Sequence, residues 1–209
     1  MNSRFISLEG IEGVGKSTNM DFIESWLRER GQNVVVTREP GGTPVAEKIR
    51  SLILESDKNQ LPEIGELLLM FAARSAHVDT LIRPVLARGD WVICDRFIDA
   101  SYAYQACGRG FGDDVIGLLE DWVLHGLNPG LTVLLDISLA GSQERTAERD
   151  FKDRFEREQT EFFARVRAGY LARMEADPDR IKLVDAGQTL KSVQQQIARI
   201  LTKYIDKLD

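Results

Sequence analysis

A glycine-rich segment near the start of the chain carries the residue types that bind phosphate groups. Residues 10–18 read Gly-Ile-Glu-Gly-Val-Gly-Lys-Ser-Thr, and they fit the pattern G-x-x-x-x-G-K-[ST] in full. Glycines let the backbone curl so that its N–H groups converge on phosphate oxygens, which a Cβ would obstruct. Lys16 can then reach the terminal phosphates, and the Ser17 hydroxyl can ligate Mg²⁺. The segment therefore predicts a site for nucleotide phosphates.

Charged residues also follow two other apolar segments of the chain. Asp95 and Arg96 close the run Trp-Val-Ile-Cys, and Arg38 and Glu39 precede Pro-Gly-Gly. An Asp at this place is the usual partner of Mg²⁺ or of its water, and Arg96 offers a planar donor fork for phosphate. The alternatives are a salt bridge at the end of a strand for the first pair and a plain surface turn for the second.

A basic segment in the second half of the chain is a candidate lid. Arg145 and Arg149 share one helical face and lead into residues 150–154, where the helical period breaks. A basic loop between helices suits a lid that closes over phosphates, and Arg149 and Arg154 are its candidate arginines. The alternative for both residues is a solvated helix face.

Apolar strand-like runs alternate with helical periods, and this order predicts the elements that position these residues. Such alternation indicates an α/β fold with a parallel sheet and helices on both sides, in which ligands bind beyond the carboxyl ends of the strands. The predicted strands are 5–9, 33–37, 91–95, 131–137 and 181–185. The predicted helices are 16–30, 44–55, 62–88, 113–126, 139–176 (with a break) and 190–206.

Composition narrows the class of protein. The 209 residues suit one domain, and the net charge of −6 provides no positive field that would attract a nucleic acid. No apolar run is long enough to cross a membrane. Two cysteines and two histidines make a disulfide framework or a zinc site improbable, so we expect a cytoplasmic protein with reduced thiols.

Taken together, the motifs resemble those of the bacterial thymidylate kinases, which are P-loop nucleoside-monophosphate kinases, and the resemblance covers the whole chain. The segments that carry it are the loop at 10–18, Arg-Glu-Pro-Gly-Gly at 38–42, Ala-Ala-Arg ending at Arg74, Asp95-Arg96, Ser-x-Ala-Tyr-Gln at 101–105 and Asp-Arg-x-Glu at 153–156. The resemblance implies a three-layer fold with a five-stranded parallel sheet, in a single kinase domain over 1–209 with a short lid at about 149–157. It also implies Mg²⁺-dependent transfer of the ATP γ-phosphoryl group to dTMP, giving ADP and dTDP for dTTP biosynthesis, and a homodimer.

The same resemblance implies a role for each candidate site residue. The residues expected on ATP are Gly10, Gly13, Val14, Gly15, Lys16, Ser17, Thr18 and Arg145. Those expected on dTMP are Glu12, Arg38, Glu39, Met70, Phe71, Arg74, Asp95, Arg96, Ser101, Tyr104 and Gln105. Lys16, Arg96, Arg149 and Arg154 are the expected catalytic residues, and Ser17 and Asp95 the expected metal ligands.

The chain departs from the family pattern at one position that bears on the base. The ring-stacking Phe usual four residues before Arg74 is Met70 here, and Phe71 comes one residue later. Either side chain could cover the base, and Phe71 is slightly favoured. The phosphate loop has Val14 where some members carry Arg, which implies that the lid supplies that arginine.

Two rival functions remain open from the sequence. One is another P-loop kinase with a different monophosphate or small metabolite as acceptor. The other is a GTPase switch, but the Asn-Lys-x-Asp motif of guanine-specific switches is absent.

Overall fold

Parallel strands form a central sheet that places the predicted site residues at one edge. The computed structural model describes residues 2–56, 60–147, 154–155 and 158–208. These residues form a five-stranded sheet in the order β2-β3-β1-β4-β5, in which every pairing is parallel. The strands are β1 (Asn2–Glu9), β2 (Val34–Arg38), β3 (Trp91–Asp95), β4 (Pro129–Asp136) and β5 (Ile181–Asp185). The predicted α/β fold with a parallel sheet is confirmed.

Side chains of the central strands point into two hydrophobic cores. Ile6, Leu8 and Ile93 belong to one buried cluster, whereas Phe5 and Val92 belong to the other. Because successive residues of a strand point to opposite faces, this separation means that both faces of the sheet are covered. Near-continuous apolar runs are typical of strands in that position.

Helices supply the outer layers. Met20 and Ile197 pack into the first cluster, and Leu67 and Ile116 pack into the second. The helices are α1 (Lys16–Arg28), α2 (Pro44–Glu55), α3 (Glu63–His77), α4 (Arg83–Ala87), α5 (Ile98–Ser101), α6 (Asp113–Leu124), α7 (Leu139–Thr146), α8 (Thr160–Ala176) and α9 (Leu190–Ile205). Two π-helical segments, Val78–Ile82 and Tyr102–Gly108, follow α3 and α5. In the part of the chain that the structure describes, no helix combines the length and apolar character needed to cross a bilayer.

The helices agree with the predicted ones except in two places. The helix predicted for 62–88 is divided into α3, a π-helical segment and α4. No helix is predicted from the sequence for residues 98–108, whereas the structure has α5 and the second π-helical segment there. Most side chains of Tyr102–Gly108 are buried. A helix that is buried all round has no amphipathic period, and so its sequence gives no periodic signal.

The strand register brings the phosphate loop beside the predicted acceptor residues. Leu8 of β1 is paired with Asp95 of β3, and Asp95 is also paired with Arg38 of β2. The segments that follow these strands therefore leave the sheet at the same edge.

Candidate active site

The phosphate loop has the open backbone that its sequence predicts. Gly10 and Gly13 have φ angles of 135° and 76°. A Cβ on Gly10 would lie 2.3 Å from the Leu135 carbonyl oxygen, and a Cβ on Gly13 would lie 2.9 Å from that of Ser142. Only glycine suits both positions, and the loop runs directly into the N-terminus of α1 at Lys16. The backbone N–H groups at such a helix start form a ready site for an anion.

Lys16 is held inside this loop. Its Nζ donates hydrogen bonds to the carbonyl oxygens of Gly10 and Ile11, at 3.1 and 3.2 Å. Burial, and then the positive charge of Arg96, lower the pKa of Lys16 to about 8. A cation that is poorly solvated in this way gains more from an incoming phosphate than an exposed lysine would.

The other residues predicted to bind ATP lie in or beside the loop, but not all of them can contact a phosphate through their side chains. Ser17 and Thr18 are exposed at the start of α1. Arg145 of α7 donates to the carbonyl oxygen of Ala186 at 3.0 Å and to that of Gly13 at 3.4 Å, so it borders both the loop and the segment after β5. The side chain of Val14 is buried in the hydrophobic core, so that only its backbone can contact a phosphate.

The predicted metal ligands lie together on one cavity. Ser17 and Asp95 both line a cavity of about 420 Å³, and Asp95 Oδ1 is buried without a hydrogen-bond partner. No group of three or more His, Cys, Asp or Glu side chains that could hold a metal occurs among the described residues. Mg²⁺ is commonly held by one or two protein oxygens together with substrate phosphates. The residues present therefore fit Mg²⁺ delivered with a nucleotide, and they do not form a closed protein cage.

Arg96 lies between the phosphate loop and a second cleft. It adopts a left-handed φ of 66°, which is strained for a residue with a side chain. Its Nη2 donates to Glu12 Oε1 at 2.8 Å and to the Tyr104 hydroxyl at 3.0 Å, and Tyr104 donates to the same Glu12 oxygen at 2.7 Å. Arg96 Nε and Glu12 Oε2 are both buried without a partner. Burial alone would lower the pKa of Arg96, but Tyr104 and Glu12 outweigh it and raise that pKa well above its usual range.

Arg74 is fixed in the second cleft by a chain of buried hydrogen bonds. Its Nε donates to Glu39 Oε2 at 2.6 Å, and its Nη1 donates to Ser101 Oγ at 2.9 Å. Glu39 Oε1 lies 3.0 Å from His77 Nδ1, and His77 Nε2 lies 2.7 Å from Thr37 Oγ1. Glu39, predicted to bind the acceptor, thus serves first to orient Arg74.

The second cleft is lined by Arg96 and by some but not all of the residues predicted to bind the acceptor. Two adjoining cavities share Glu39, Pro40, Met70, Arg96 and Ala100. The further predicted residues on these cavities are Arg74, Ser101, Glu12 and Tyr104. Below we call this pair of cavities the acceptor cleft.

Phe71 was slightly favoured over Met70 as the side chain that covers the base, but it is Met70 that faces the cleft. Met70 lines both cavities of the acceptor cleft, whereas Phe71 is buried in the second hydrophobic core. Met70 and Arg74 are four residues apart on α3 and therefore share a face. The Arg74 guanidinium lies over the Phe71 ring at 4.8 Å, so Phe71 supports Arg74 from behind.

Three other predicted acceptor residues lie outside the lining of the cleft, and one of them, Asp95, lines the cavity described above with Ser17. Arg38 is exposed, donates to Glu47 at 2.9 Å and lines the cavity of Ser17 and Asp95. Gln105 is completely buried, and its Nε2 donates to Glu66 Oε1 at 3.0 Å while its Oε1 has no partner.

Of the two candidate lid arginines, only Arg154 lies among the described residues. Arg149 lies outside the described residues. Arg154 is buried, and its Nε donates to Glu66 Oε2 at 2.9 Å. Its Nη2 donates to the Leu61 carbonyl oxygen at 2.7 Å. Arg154 is therefore held by the buried carboxylate of Glu66, and the catalytic role expected for it from the sequence stays a prediction.

Sequence reasoning missed three buried residues around the site. His77 orients Glu39, Glu66 holds Gln105 and Arg154, and Phe155 lines the acceptor cleft. Glu66 could have been found, because it precedes Met70 by four residues and Arg74 by eight, and so shares their helical face. The packing of Phe155 gives no comparable local signal.

Comparison with known proteins agrees with these features. A family model described as thymidylate kinase matches residues 8–197. A thymidylate kinase of Methylococcus capsulatus is 55% identical over 195 residues, which are 93% of each chain. That of Vesicomyosocius okutanii is 53% identical over 198 residues, covering 95% of this chain and 97% of the relative. That of Teredinibacter turnerae is 51% identical over 205 residues, covering 98% of this chain and all of the relative.

Proposed function

The chain belongs to the thymidylate kinase family, and we propose that it transfers the γ-phosphoryl group of ATP to dTMP, giving ADP and dTDP. In this proposal residues 1–209 are one kinase domain, with a lid at about 149–157 and a cytoplasmic location that suits its two free cysteines. ATP binds at the phosphate loop, and dTMP binds in the acceptor cleft on the other side of Arg96.

The observation that carries the proposal is a set of buried polar atoms without protein partners. Among the described residues these atoms include Glu12 Oε2, Arg96 Nε, Gln105 Oε1 and Asp95 Oδ1. Buried polar atoms are normally hydrogen-bonded, so the unpartnered atoms of Asp95 on one cavity and of Glu12 and Arg96 on the other indicate polar ligands at both. A nucleoside monophosphate offers suitable groups: a phosphate for Arg96, a sugar hydroxyl for Glu12 and a base N–H for Gln105.

The acceptor residues have distinct proposed roles. Arg96 binds the dTMP phosphate and keeps it in line with the ATP γ-phosphate. Arg74 reads the base edge, since the buried Glu39 and Ser101 fix its guanidinium. Tyr104 closes the cleft beside Glu12, where it leaves little room for a 2′-hydroxyl.

The transfer itself needs charge compensation more than covalent help. The attacking phosphate oxygen of dTMP is already anionic at neutral pH, so no strong general base is needed. Lys16 and Arg96 offset the repulsion between the two nucleotides and the charge that develops on the transferred group. Mg²⁺, which Ser17 and Asp95 would help to hold, adds positive charge on the ATP phosphates when it is bound.

ADP release tests this proposal directly. Purified protein is assayed with ATP and Mg²⁺, with dTMP or without an acceptor, and in parallel with CMP, AMP and GMP. We expect dTMP to raise ADP release by about a hundredfold or more over the reaction without acceptor, because alignment of two bound reactants is the main catalytic effect. Equal or faster turnover with another monophosphate would favour the alternative, a P-loop kinase for a different small molecule.

A matched pair of variants connects the activity to the site. Arg96→Met removes the phosphate ligand just after β3, and Arg88→Met removes an exposed arginine shortly before that strand. We expect the first to lower kcat/KM for dTMP by about a hundredfold or more. The second should have little effect. Similar losses in both variants would contradict the role of Arg96.

We also propose that the chain forms a homodimer through α3 and α6. Leu118 and Trp122 on α6 are 71% and 74% exposed, and Ile64 and Leu68 on α3 are about half exposed. Each pair is spaced by four residues, so each forms an apolar stripe on its helix. Exposed apolar stripes on neighbouring helices are typical of a surface that packs against another chain. The family resemblance favours a second copy of this chain as the partner.

A further inference from the structure

The turn that follows β3 holds Arg96 in a strained conformation. Its left-handed φ of 66° is uncommon for a residue with a side chain, and such a conformation persists only where the surrounding groups fix it. The backbone angles of a residue also restrict the rotamers that its side chain can adopt. The groups that fix this turn therefore help to direct the Arg96 guanidinium.

The end of β1 binds both N–H groups of this turn. The Arg96 N–H donates to the Leu8 carbonyl oxygen at 3.0 Å, and the Phe97 N–H donates to Glu9 Oε1 at 2.7 Å. The first bond uses a backbone oxygen, which any residue at position 8 would provide. The second uses a side chain, so it depends on the identity of residue 9. Because a buried N–H group without an acceptor is unfavourable, Glu9 helps to stabilise the strained turn.

Glu9 also connects this turn with the phosphate loop. It immediately precedes Gly10, the first residue of the loop. The Gly10 carbonyl oxygen accepts from Arg96 Nη2 at 3.4 Å and from Lys16 Nζ at 3.1 Å. One buried carboxyl group thus bridges the donor loop and the residue proposed to bind the acceptor phosphate.

The second oxygen of Glu9 supports Arg96 from another side. Glu9 Oε2 lies 2.9 Å from the Tyr170 hydroxyl. The Tyr170 ring packs edge-on against the Tyr104 ring, with the centroids 6.2 Å apart. The Tyr104 hydroxyl in turn accepts a hydrogen bond from Arg96 Nη2. Loss of the carboxyl group would therefore weaken the support of both the backbone and the side chain of Arg96.

We propose that Glu9 is a positioning residue, which sets the Arg96 guanidinium in line with the phosphate loop by binding the Phe97 N–H. The inference rests on the proposed function, since it needs an acceptor phosphate on Arg96. In this scheme Glu9 acts on the two nucleotides only through Arg96. The carboxyl group is thus required as a hydrogen-bond acceptor in a fixed place.

Two substitutions at position 9 and one control test this scheme. Glu9→Gln keeps an oxygen that can accept from the Phe97 N–H, whereas Glu9→Leu is of similar size and has no acceptor. The control is Ser7→Ala. Ser7 is buried on the same strand two residues earlier, so it points to the same side of the sheet, and its Oγ lies 2.8 Å from Thr132 Oγ1. Both Glu9→Leu and Ser7→Ala remove a buried hydrogen bond from β1, so a general effect of such a loss should appear in both.

The readout is steady-state kinetics on protein that thermal unfolding shows to be folded. Glu9→Leu should lower kcat/KM for the acceptor by about tenfold or more while the KM for ATP changes by less than about threefold, because a small misplacement of an aligning group mainly affects the transfer. Glu9→Gln and Ser7→Ala should stay within about threefold of the wild type in both quantities. Wild-type kinetics in Glu9→Leu would overturn the proposal, and so would equal losses in Glu9→Gln or Ser7→Ala. An equal rise in the KM for ATP would also overturn it, because Glu9 would then act on the phosphate loop.

A double-mutant cycle asks whether Glu9 acts through Arg96. In the Arg96→Met background, Glu9→Leu should change kcat/KM for the acceptor by less than about threefold, because the side chain that it positions is already absent. The full loss in that background would refute the inference. Glu9→Met, whose sulfur is only a weak acceptor, replaces Glu9→Leu if the latter folds poorly. Failure of dTMP as the acceptor would refute the proposed function separately, since the cycle can be read with whichever monophosphate turns over fastest.

Discussion

Glu9 should make the stability of the folded chain fall as the pH rises through neutrality. This glutamate ends β1 and is completely buried. Its Oε1 accepts a hydrogen bond from the backbone N–H of Phe97 at 2.7 Å, and its Oε2 lies 2.9 Å from the Tyr170 hydroxyl. Burial, and then the negative charge of Asp99, raise its pKa from 4.5 to about 8, although both hydrogen bonds and Arg96 act in the opposite direction.

The sign and size of the effect follow from proton linkage. The folded chain binds the Glu9 proton more tightly than the unfolded chain does, so the free energy of unfolding falls as the pH rises from about 4.5 towards about 8. Between about pH 6 and about pH 8 this one group should lower the free energy of unfolding by roughly 2 kcal/mol. Most of the remaining loss occurs between about pH 4.5 and about pH 6, and above about pH 8 the contribution levels off.

Glu9→Gln isolates the contribution of this residue. An amide stays neutral, its oxygen can still accept from Phe97, and its NH₂ group can donate to the Tyr170 hydroxyl. Urea unfolding of the wild type and the variant is measured from about pH 5.5 to about pH 8.5. The variant should gain about 2 kcal/mol relative to the wild type between about pH 6 and about pH 8. Because other titrating groups are common to both proteins, parallel stability curves would show that Glu9 is ionised throughout and would refute the reasoning.

Other features of the site and surface make further predictions. The pKa of Lys16 is about 8 in the free protein, so ATP affinity should weaken above about pH 8, by up to about tenfold per pH unit. Titration calorimetry at several pH values should show this loss. The Lys16→Ala variant should lose the pH dependence. Met70→Ala should raise the KM for dTMP by roughly tenfold through lost packing, whereas Phe71→Ala should lower the free energy of unfolding by about 3–5 kcal/mol. An unchanged KM in the Met70 variant would place the base elsewhere. Trp122→Arg should convert a dimer to monomers in light scattering, and a dimer that persists would exclude this surface.

The sequence predicted the scaffold of the site well because its signals are local. The phosphate pattern depends on residues within one loop, and the bounds of strand 91–95 and of helix 44–55 agree with β3 and α2. A continuous apolar run bounded by turn residues is read from neighbours in the chain, and so is an amphipathic period. The order of the strands in the sheet was not predicted, because it depends on contacts between distant segments.

The positions that the sequence left undecided depend on such distant contacts. Whether Met70 or Phe71 faces the cleft is decided by the rotation of α3 against the second core. Arg154 was expected among the catalytic residues because a basic loop between helices suits a lid, and the sequence did not indicate that Glu66, 88 residues earlier in the chain, binds it. Neither side chain could be placed without knowing which buried partner the fold brings to it.

The two halves of the site depend on different kinds of interaction, and this affects how variants should be interpreted. The donor side is mainly backbone, with Ser17 exposed at its edge. The acceptor side is built on buried ion pairs such as Arg74 with Glu39. Removing one partner of a buried pair costs about 3–5 kcal/mol, a large share of the roughly 5–15 kcal/mol that keeps a domain folded. The turnover measured for an Arg74 variant must therefore be divided by the folded fraction of the protein before any loss is assigned to the chemical step. A lost kcat in Ser17→Ala can be assigned to phosphate or metal binding directly, because that hydroxyl supports no buried group among the residues that the structure describes.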